Sequence, residues 1–113
     1  MKVVYIAGKF TAPNAWECEK NVRRAEDVGI EVANLGAAPL IPHANTRFFV
    51  GTCTPEFWYE ATAALLLRCD ALMTVPGWPD SKGALAEIET ARDHLIPVFH
   101  DLEDLRGWLR SNP

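Results

Sequence analysis

The sequence predicts an α/β fold: a small open parallel sheet of four to five strands with helices on both faces, a flavodoxin- or Rossmann-like sandwich. Two observations predict it. Short apolar runs alternate with longer segments of helical periodicity along the whole chain. The apolar runs are also nearly continuous, as is typical of strands buried on both faces of a parallel sheet. The 113 residues, 49% hydrophobic and 23% charged, are predicted to form a single domain over 1–113.

The first half of the chain predicts two strands and one helix. Residues 2–7, "KVVYIA", form the first strand, which Gly8 ends. Asn14 precedes a helix from about residue 15 to 35, and Gly36 follows it as a helix stop. Residues 37–42, "AAPLIP", read as a second strand. The inward face of the helix is predicted to carry residues spaced by three and four, namely Cys18, Val22, Ala25, Gly29 and Val32.

The second half predicts two more strands between helices. Residues 43–53 show no period and are the longest loop candidate. Thr54 and Pro55 predict the start of a helix, which runs to about residue 68. Residues 70–76, "DALMTVP", form a third strand and residues 96–100, "IPVFH", a fourth. Between them a helix opens at Lys82, with its bulky residues, Leu85, Ile88 and Leu95, expected to face the sheet. Asp101 caps a last helix to about residue 110.

Composition excludes several classes of protein. The net charge of −4 argues against a partner that is a nucleic-acid polymer, because such binding uses clustered Lys and Arg. Three cysteines, Cys18, Cys53 and Cys69, have neither disulfide-framework nor zinc-ligand spacing. No metal is therefore expected, and free thiols indicate the cytoplasm. No apolar run approaches the roughly 20 residues that a membrane helix needs.

The turns after the first and third strands are the expected site, since ligands of open parallel sheets bind at the carboxyl ends of the strands. Gly8, Lys9 and Phe10 follow the first strand. They do not form a nucleotide-binding P-loop, because Val3 stands where the motif needs glycine and Phe10 where it needs Ser or Thr. No dinucleotide fingerprint is present either, so no cofactor is expected. Lys9 favours a phosphate in this turn, and Phe10 is a candidate for stacking on a base.

The turn after the third strand, "PGWPDSKG", leads into a helix that carries Glu87. Asp80 or Ser81 is predicted to cap the helix, leaving first-turn amides that can hold an anion. Gly83 weakens the helix, which is explicable if a ligand approaches closely. Trp78 is a candidate for stacking on a base. A reference glutamate is ionised at neutral pH, so Glu87 suits a nucleophile better than a general acid, which would need a pKa two or three units higher.

Four segments, "VYIAGKF", "LLRCDALMTVPGW", "SKGALAEIETA" and "IPVF", resemble the nucleoside 2-deoxyribosyltransferase-like superfamily, in particular its small bacterial and phage members. The most specific element is the Ser-x-Gly-x-x-x-Glu pattern of Ser81, Gly83 and Glu87. The resemblance implies that Glu87 attacks the anomeric carbon of a nucleoside or nucleoside 5′-monophosphate, that Tyr5 positions it, and that Ser81 and Gly83 lie near the 5′ end of the sugar. It also implies a homodimer or a larger homo-oligomer.

Thr62 departs from the family pattern, which commonly has aspartate at this position. A hydroxyl can bind substrate but cannot act as a carboxylate acid or base. His43, after the second strand, is either a structural histidine or a group that protonates the leaving base, since its reference pKa lies near 6.5. Two functions stay open: cleavage or exchange of an N-glycosidic bond through Glu87, and a nucleotide-binding module whose chemistry was lost with the aspartate.

Overall fold

Four short parallel strands form the central sheet in the order β2-β1-β3-β4. In the computed structural model, which describes residues 1–113, the strands are β1 (Val3–Ala7), β2 (Ala38–Leu40), β3 (Ala71–Thr74) and β4 (Val98–Phe99). All three neighbouring pairs are parallel. The order places β1 and β3 in the centre, where both faces of the strands are covered. The predicted open parallel α/β sandwich is confirmed.

Helices cover both faces of this sheet. On one face, α1 (Ala15–Asn34) and α5 (Leu102–Ser111) contribute to an apolar core with Val4 and Ile6 of β1. Between β2 and β3 the chain forms a short α2 (Pro42–Asn45) and then α3 (Pro55–Leu66). On the other face, α3 and α4 (Lys82–Asp93) pack over the alternate β1 residues, which include Tyr5. Because strand side chains alternate between faces, Tyr5 points toward the α3 and α4 layer.

Side-chain caps fix where the helices begin. Asn14 caps α1 by accepting a hydrogen bond from the Glu17 amide at 2.9 Å. Thr54 caps α3 in the same way. For α4, the hydroxyl oxygen of Ser81 accepts a hydrogen bond from the Ala84 amide at 3.1 Å. Ser81 rather than Asp80 is therefore the cap. A single 3₁₀ turn (Trp78–Asp80) separates it from β3.

The buried face of α4 differs from the expected one. Ala84, Ile88 and Ala91 face the sheet, whereas Leu85 and Leu95 are 44% and 91% exposed. The buried residues recur at steps of four and three, so they share one helix face. Leu95 cannot share it, because α4 ends at Asp93. The small alanines let α4 approach the sheet closely, which brings the adjacent Glu87 near β1.

Three further local expectations are revised. The second strand is only Ala38–Leu40, since Pro42 begins α2, the short helix at the start of the expected loop. Cys18 is only partly buried, and Asn21 and Val28 complete the buried face of α1 instead. The thiols are not uniformly buried, because Cys53 is exposed. None of the helices is both long and apolar enough to cross a lipid bilayer.

Candidate active site

A cleft of about 980 Å³ opens at the carboxyl ends of β1 and β3. Its lining comes from the turns after the first three strands and from α3 and α4. This is where a parallel sheet of this order holds its ligands. The cleft brings together nine of the ten site residues predicted from the sequence. Tyr5 reaches it through a hydrogen bond to Glu87. The other eight line it directly: Gly8, Lys9, Phe10, His43, Thr62, Ser81, Gly83 and Glu87.

Tyr5 and Glu87 form the central pair of the cleft. The Tyr5 hydroxyl donates a hydrogen bond to Oε2 of Glu87. Tyr5 is fully buried, and Glu87 is partly exposed. The contact joins residues 82 positions apart in sequence, so it exists only because β1 and α4 pack together. It leaves Oε1 of Glu87 without a hydrogen bond from the protein.

Burial changes the acidity of both groups. Desolvation raises the pKa of Glu87 from 4.5 to about 7, while the hydrogen bond from Tyr5 acts in the opposite direction. Desolvation, together with the nearby Glu87 charge, raises the pKa of Tyr5 far above its ordinary value. Tyr5 therefore stays protonated and remains a donor. Glu87 is divided between its charged and neutral forms near neutral pH, whereas the sequence predicted an ordinary, fully ionised glutamate. A pKa raised this far also suits a general acid, so the pKa no longer favours the nucleophile over the acid.

The raised pKa of Glu87 predicts that the Glu87→Gln variant is more stable than the wild type at high pH. The pKa of Glu87 is higher in the folded protein than in the unfolded chain. The contribution of its neutral carboxyl group to stability is therefore fully present below about pH 4.5 and is lost as the pH rises through about 7. At pH 8, glutamine removes the buried charge, and we expect a gain of roughly 2–3 kcal/mol. Urea unfolding at pH 8 and at pH 4.5 measures it.

The exposed Glu89 on the same helix supplies the control, because Glu89→Gln removes one charge without changing a buried group. This control variant should leave the difference between the two pH values unchanged. Equal stabilities of Glu87→Gln and wild type at pH 8 would contradict the burial of the Glu87 charge.

Thr62 on α3 lies beside this pair. Its hydroxyl donates to the carbonyl oxygens of Trp58 and Tyr59 on its own helix, at 3.0 and 3.1 Å. It also lies close enough to the Tyr5 oxygen to lower the pKa of the phenol, against the larger effect of burial. Position 62 thus faces the Tyr5 and Glu87 pair, and it holds a neutral side chain.

The N-terminus of α4 presents free amides to the cleft. The Ser81 oxygen is used as the cap, and the amides of the first helical residues, Lys82 and Gly83, have no partner within a helix. Both residues line the cleft. Helix N-terminal amides of this kind can bind anions, and the anion site at this helix stays a prediction. At Gly83, an added Cβ would meet only the Ser81 oxygen, at 3.9 Å, so packing within the protein does not require glycine here.

Gly83→Ala is therefore expected to stabilise the fold and weaken the site. Alanine is favoured over glycine in a helix by about 1 kcal/mol, and nothing in the protein opposes its methyl group. If an anionic ligand rests against the Gly83 backbone, that methyl group displaces it, and we expect at least about tenfold weaker binding. Thermal unfolding and titration with a nucleoside 5′-monophosphate measure the two effects. An unchanged affinity would remove Gly83 from the site.

His43 is held as a neutral, buried imidazole. Its Nε2–H donates to the carbonyl oxygens of Gly8 and Lys9, at 3.0 and 3.1 Å. Desolvation lowers its pKa, so Nδ1 carries no proton, and this atom is buried without a partner. The only proton on the ring is engaged by backbone. This geometry does not support His43 as the acid that protonates a leaving base; it instead fixes the turn after β1.

The turn after β1 packs against the turn after β3 and also lines the cleft. An added Cβ at Gly8 would lie 2.7 Å from the Cβ of Val75, so glycine is required there by the close approach of the turns after β1 and β3. Phe10 lines the cleft and packs edge-on against His43, with ring centroids 5.6 Å apart. Lys9 is exposed and also lines the cleft.

Trp78 is the one predicted site residue that the structure does not bring to the cleft. Its ring stacks on His100, with centroids 4.4 Å apart and planes 14° from parallel. His100 also hydrogen-bonds the buried Thr74 at 2.9 Å. Trp78 is thus occupied within the protein and holds the turn before α4. Two polar side chains outside the cleft have structural roles: Asp70 accepts a hydrogen bond from the Val3 amide at 2.8 Å, and the ring of His94 hydrogen-bonds the Thr90 carbonyl oxygen.

An aromatic wall, defined here as Phe49, Trp58 and Tyr59, lines the cleft and was not predicted as part of the site. The indole NH of Trp58 donates to the Thr52 carbonyl at 2.9 Å, and its ring lies 5.5 Å from that of Phe49. The high density of aromatic residues between positions 48 and 59 is the sequence feature that could have predicted this part of the cleft. No group of three or more His, Cys, Asp or Glu could hold a metal ion.

The architecture defines an α/β protein with an open parallel sheet and a ligand-sized cleft at the carboxyl ends of its central strands. The chain matches the solved structure of a 2-deoxyribosyltransferase from the psychrotolerant bacterium Bacillus psychrosaccharolyticus, with a TM-score of 0.64 and 18% identity, over 92% of this chain and 90% of that chain. That enzyme is described as a suitable biocatalyst for the synthesis of antiviral and antitumoral nucleosides. The resemblance predicted from the sequence is confirmed at the level of the fold.

The chain belongs to the family described as "Domain of unknown function (DUF4406)", whose model matches residues 2–100. The matched region contains every residue of the cleft. None of the curated protein sequences matches the chain significantly.

Proposed function

We propose that this protein cleaves the N-glycosidic bond of a nucleoside or nucleoside 5′-monophosphate, or exchanges its base, with Glu87 as the nucleophile. The observation that carries the proposal is the Tyr5–Glu87 pair at the centre of the cleft. A carboxylate held by one donor, with its other oxygen free, is arranged to attack a carbon rather than to bind a cation.

In the first step the free Oε1 of ionised Glu87 attacks the anomeric carbon. The carbon–oxygen bond of a glycosyl ester forms as the bond to the base nitrogen breaks, and the electron pair of that bond leaves with the base. Tyr5 keeps its proton and, through its hydrogen bond to Oε2, fixes the orientation of the carboxylate. The leaving base takes up a proton from solvent, since the only ring proton of His43 is donated to the carbonyl oxygens of Gly8 and Lys9.

In the second step water or another base attacks the same carbon. Its new bond forms as the ester bond breaks, and the electron pair returns to Glu87 as a carboxylate. A proton leaves the attacking group. The enzyme is thereby restored, and the acceptor decides whether the reaction is hydrolysis or base exchange.

Incubation with a panel of ribo- and deoxyribonucleosides and their 5′-monophosphates, with and without an added acceptor base, tests the proposal. Chromatography detects the released or exchanged base. Base release by the wild-type protein supports the proposal and identifies base and sugar. If no substrate releases its base under either condition, the proposed activity is wrong.

A nucleotide-binding module is the second candidate function, and Thr62 is the observation that favours it. The neutral hydroxyl faces the Tyr5–Glu87 pair where family enzymes commonly have aspartate. Without a second carboxylate, departure of the base is assisted less. Binding of a nucleotide without bond cleavage, in the same panel, would identify this function.

We also propose that the chain forms a homodimer or larger homo-oligomer in the cytoplasm. Large apolar side chains are exposed near the cleft mouth, including Phe48, Val50 and Tyr59, at 84%, 79% and 69%. Burying such surface on a second copy is favourable. Light scattering on the purified protein measures the oligomeric state.

A further inference from the structure

A small polar recess adjoins the cleft at the point where the strand order reverses between β1 and β3. It is lined by Lys9, Asn21, Arg24 and Asp80, together with residues 75–77 after β3. Its volume is about 110 Å³, room for a group of a few non-hydrogen atoms, since one water occupies about 30 Å³ in the liquid. Lys9 and Asp80 also line the cleft, so one ligand can reach both spaces.

The two cationic side chains of the recess, Lys9 and Arg24, form no ion pair with a carboxylate. The ion pairs of the protein involve Lys20, Arg23, Arg47 and Arg106, and neither Lys9 nor Arg24 is among them. Asp80 is the one acidic residue in the lining, so the recess keeps a positive balance. In a chain with a net charge of −4, this local excess of positive charge favours an anion.

Arg24 is also oriented before any ligand arrives. Its guanidinium donates to the side-chain oxygen of Asn21 at 3.0 Å. Asn21 is only 7% exposed, and its amide group donates to the Phe10 carbonyl at 3.1 Å. Arg24 is itself exposed, and this one hydrogen bond to a buried side chain with both polar atoms engaged directs its guanidinium toward the recess. A fixed guanidinium loses less freedom on binding and suits the planar, bidentate recognition of phosphate.

We propose that this recess is a second anion site, which binds a phosphoryl group separately from the amides at the N-terminus of α4. The inference rests on the proposed function for the identity of the ligand and extends its substrate class beyond the 5′-monophosphate, to a nucleotide with at least two phosphoryl groups. One phosphoryl group contacts the α4 amides, and the other lies between Lys9 and Arg24. A nucleoside monophosphate occupies only one of these positions.

Binding, rather than turnover, tests the proposal. Titration calorimetry on Glu87→Gln, which keeps the cleft but lacks the nucleophile, compares adenosine, AMP, ADP and inorganic phosphate. We expect ADP to bind at least about tenfold more tightly than AMP, because a charge-assisted hydrogen bond strengthens binding by that order. The advantage should shrink as salt is raised. Tight inorganic phosphate binding together with equal AMP and ADP affinities would show free phosphate at the recess and overturn the two-phosphoryl substrate.

The neighbouring arginine gives a matched control. Arg24→Gln should remove the preference for ADP over AMP, while Arg23→Gln should keep it, since Arg23 pairs with Glu19 and lies over the Trp16 ring outside the recess. Equal effects of the two variants, or equal AMP and ADP affinities in the parent protein, would overturn the proposal. If the parent prefers ADP but the wild type releases no base, the recess stands and the proposed catalysis fails.

Discussion

Replacing Glu87 with glutamine is expected to reduce base release by at least about 10³-fold, because the amide cannot form the glycosyl ester. The side chain keeps its size, so substrate binding should be retained. The measurement is the rate of base release, by chromatography, from whichever nucleoside or nucleotide the wild type cleaves. A trapped glycosyl ester on Glu87, visible as added mass on the intact wild-type protein and absent from the variant, would be the direct sign of the nucleophile.

Glu89→Gln is the control for this experiment. Glu89 lies two residues further along α4 and is exposed, so its substitution changes the helix charge equally without entering the cleft. Its activity should stay within about twofold of wild type. If Glu87→Gln keeps most of the wild-type rate, the nucleophilic role assigned to Glu87 would be excluded.

The kcat/KM of the reaction should increase as the pH rises through 7. The attacking form of Glu87 is the carboxylate, and burial raises its pKa to about 7. We therefore expect kcat/KM to increase about tenfold per pH unit below pH 7 and to level off above it. A general acid would give the opposite profile, falling above pH 7. The direction of the slope alone distinguishes the two roles.

Tyr5→Phe should move this profile to higher pH. The Tyr5 hydrogen bond lowers the pKa of Glu87 against the effect of burial. Without this bond the neutral acid is favoured further, and we expect the midpoint to rise by roughly one to two pH units, as a hydrogen bond to a charged group contributes about 1.5–3 kcal/mol. At pH 7 the rate therefore falls about fivefold to fiftyfold, and at pH 9 about half or more of it returns.

Tyr59→Phe removes the other tyrosine hydroxyl of the chain, which does not contact Glu87, and should leave the midpoint unchanged. A Tyr5→Phe variant with lower activity at every pH and an unmoved midpoint would mean that Tyr5 acts on the substrate rather than on Glu87.

Much of the fold could be predicted from local pattern. The apolar runs, the caps at Asn14, Thr54 and Asp101, and the alternation of strands and helices are local properties, and the structure follows them closely. The face of α4 was the main failure. Hydrophobicity favoured Leu85 and Leu95, but alanines allow a closer approach to the sheet, so shape rather than residue hydrophobicity selected the buried side.

The candidate site, like the fold, was predictable from the sequence only in part. The sequence by itself determined the Ser-x-Gly-x-x-x-Glu motif of Ser81, Gly83 and Glu87 and predicted the turns that hold the site, while the family resemblance implied that Tyr5 accompanies Glu87. Only the tertiary structure decided their chemistry: packing of β1 against α4 buries Glu87 and gives it one donor, which changes its pKa. It also engaged the ring proton of His43, stacked Trp78 away from the cleft and placed Arg24 beside Lys9. Burial, hydrogen-bond partners and proximity depend on residues far apart in the chain, and no local pattern contains them.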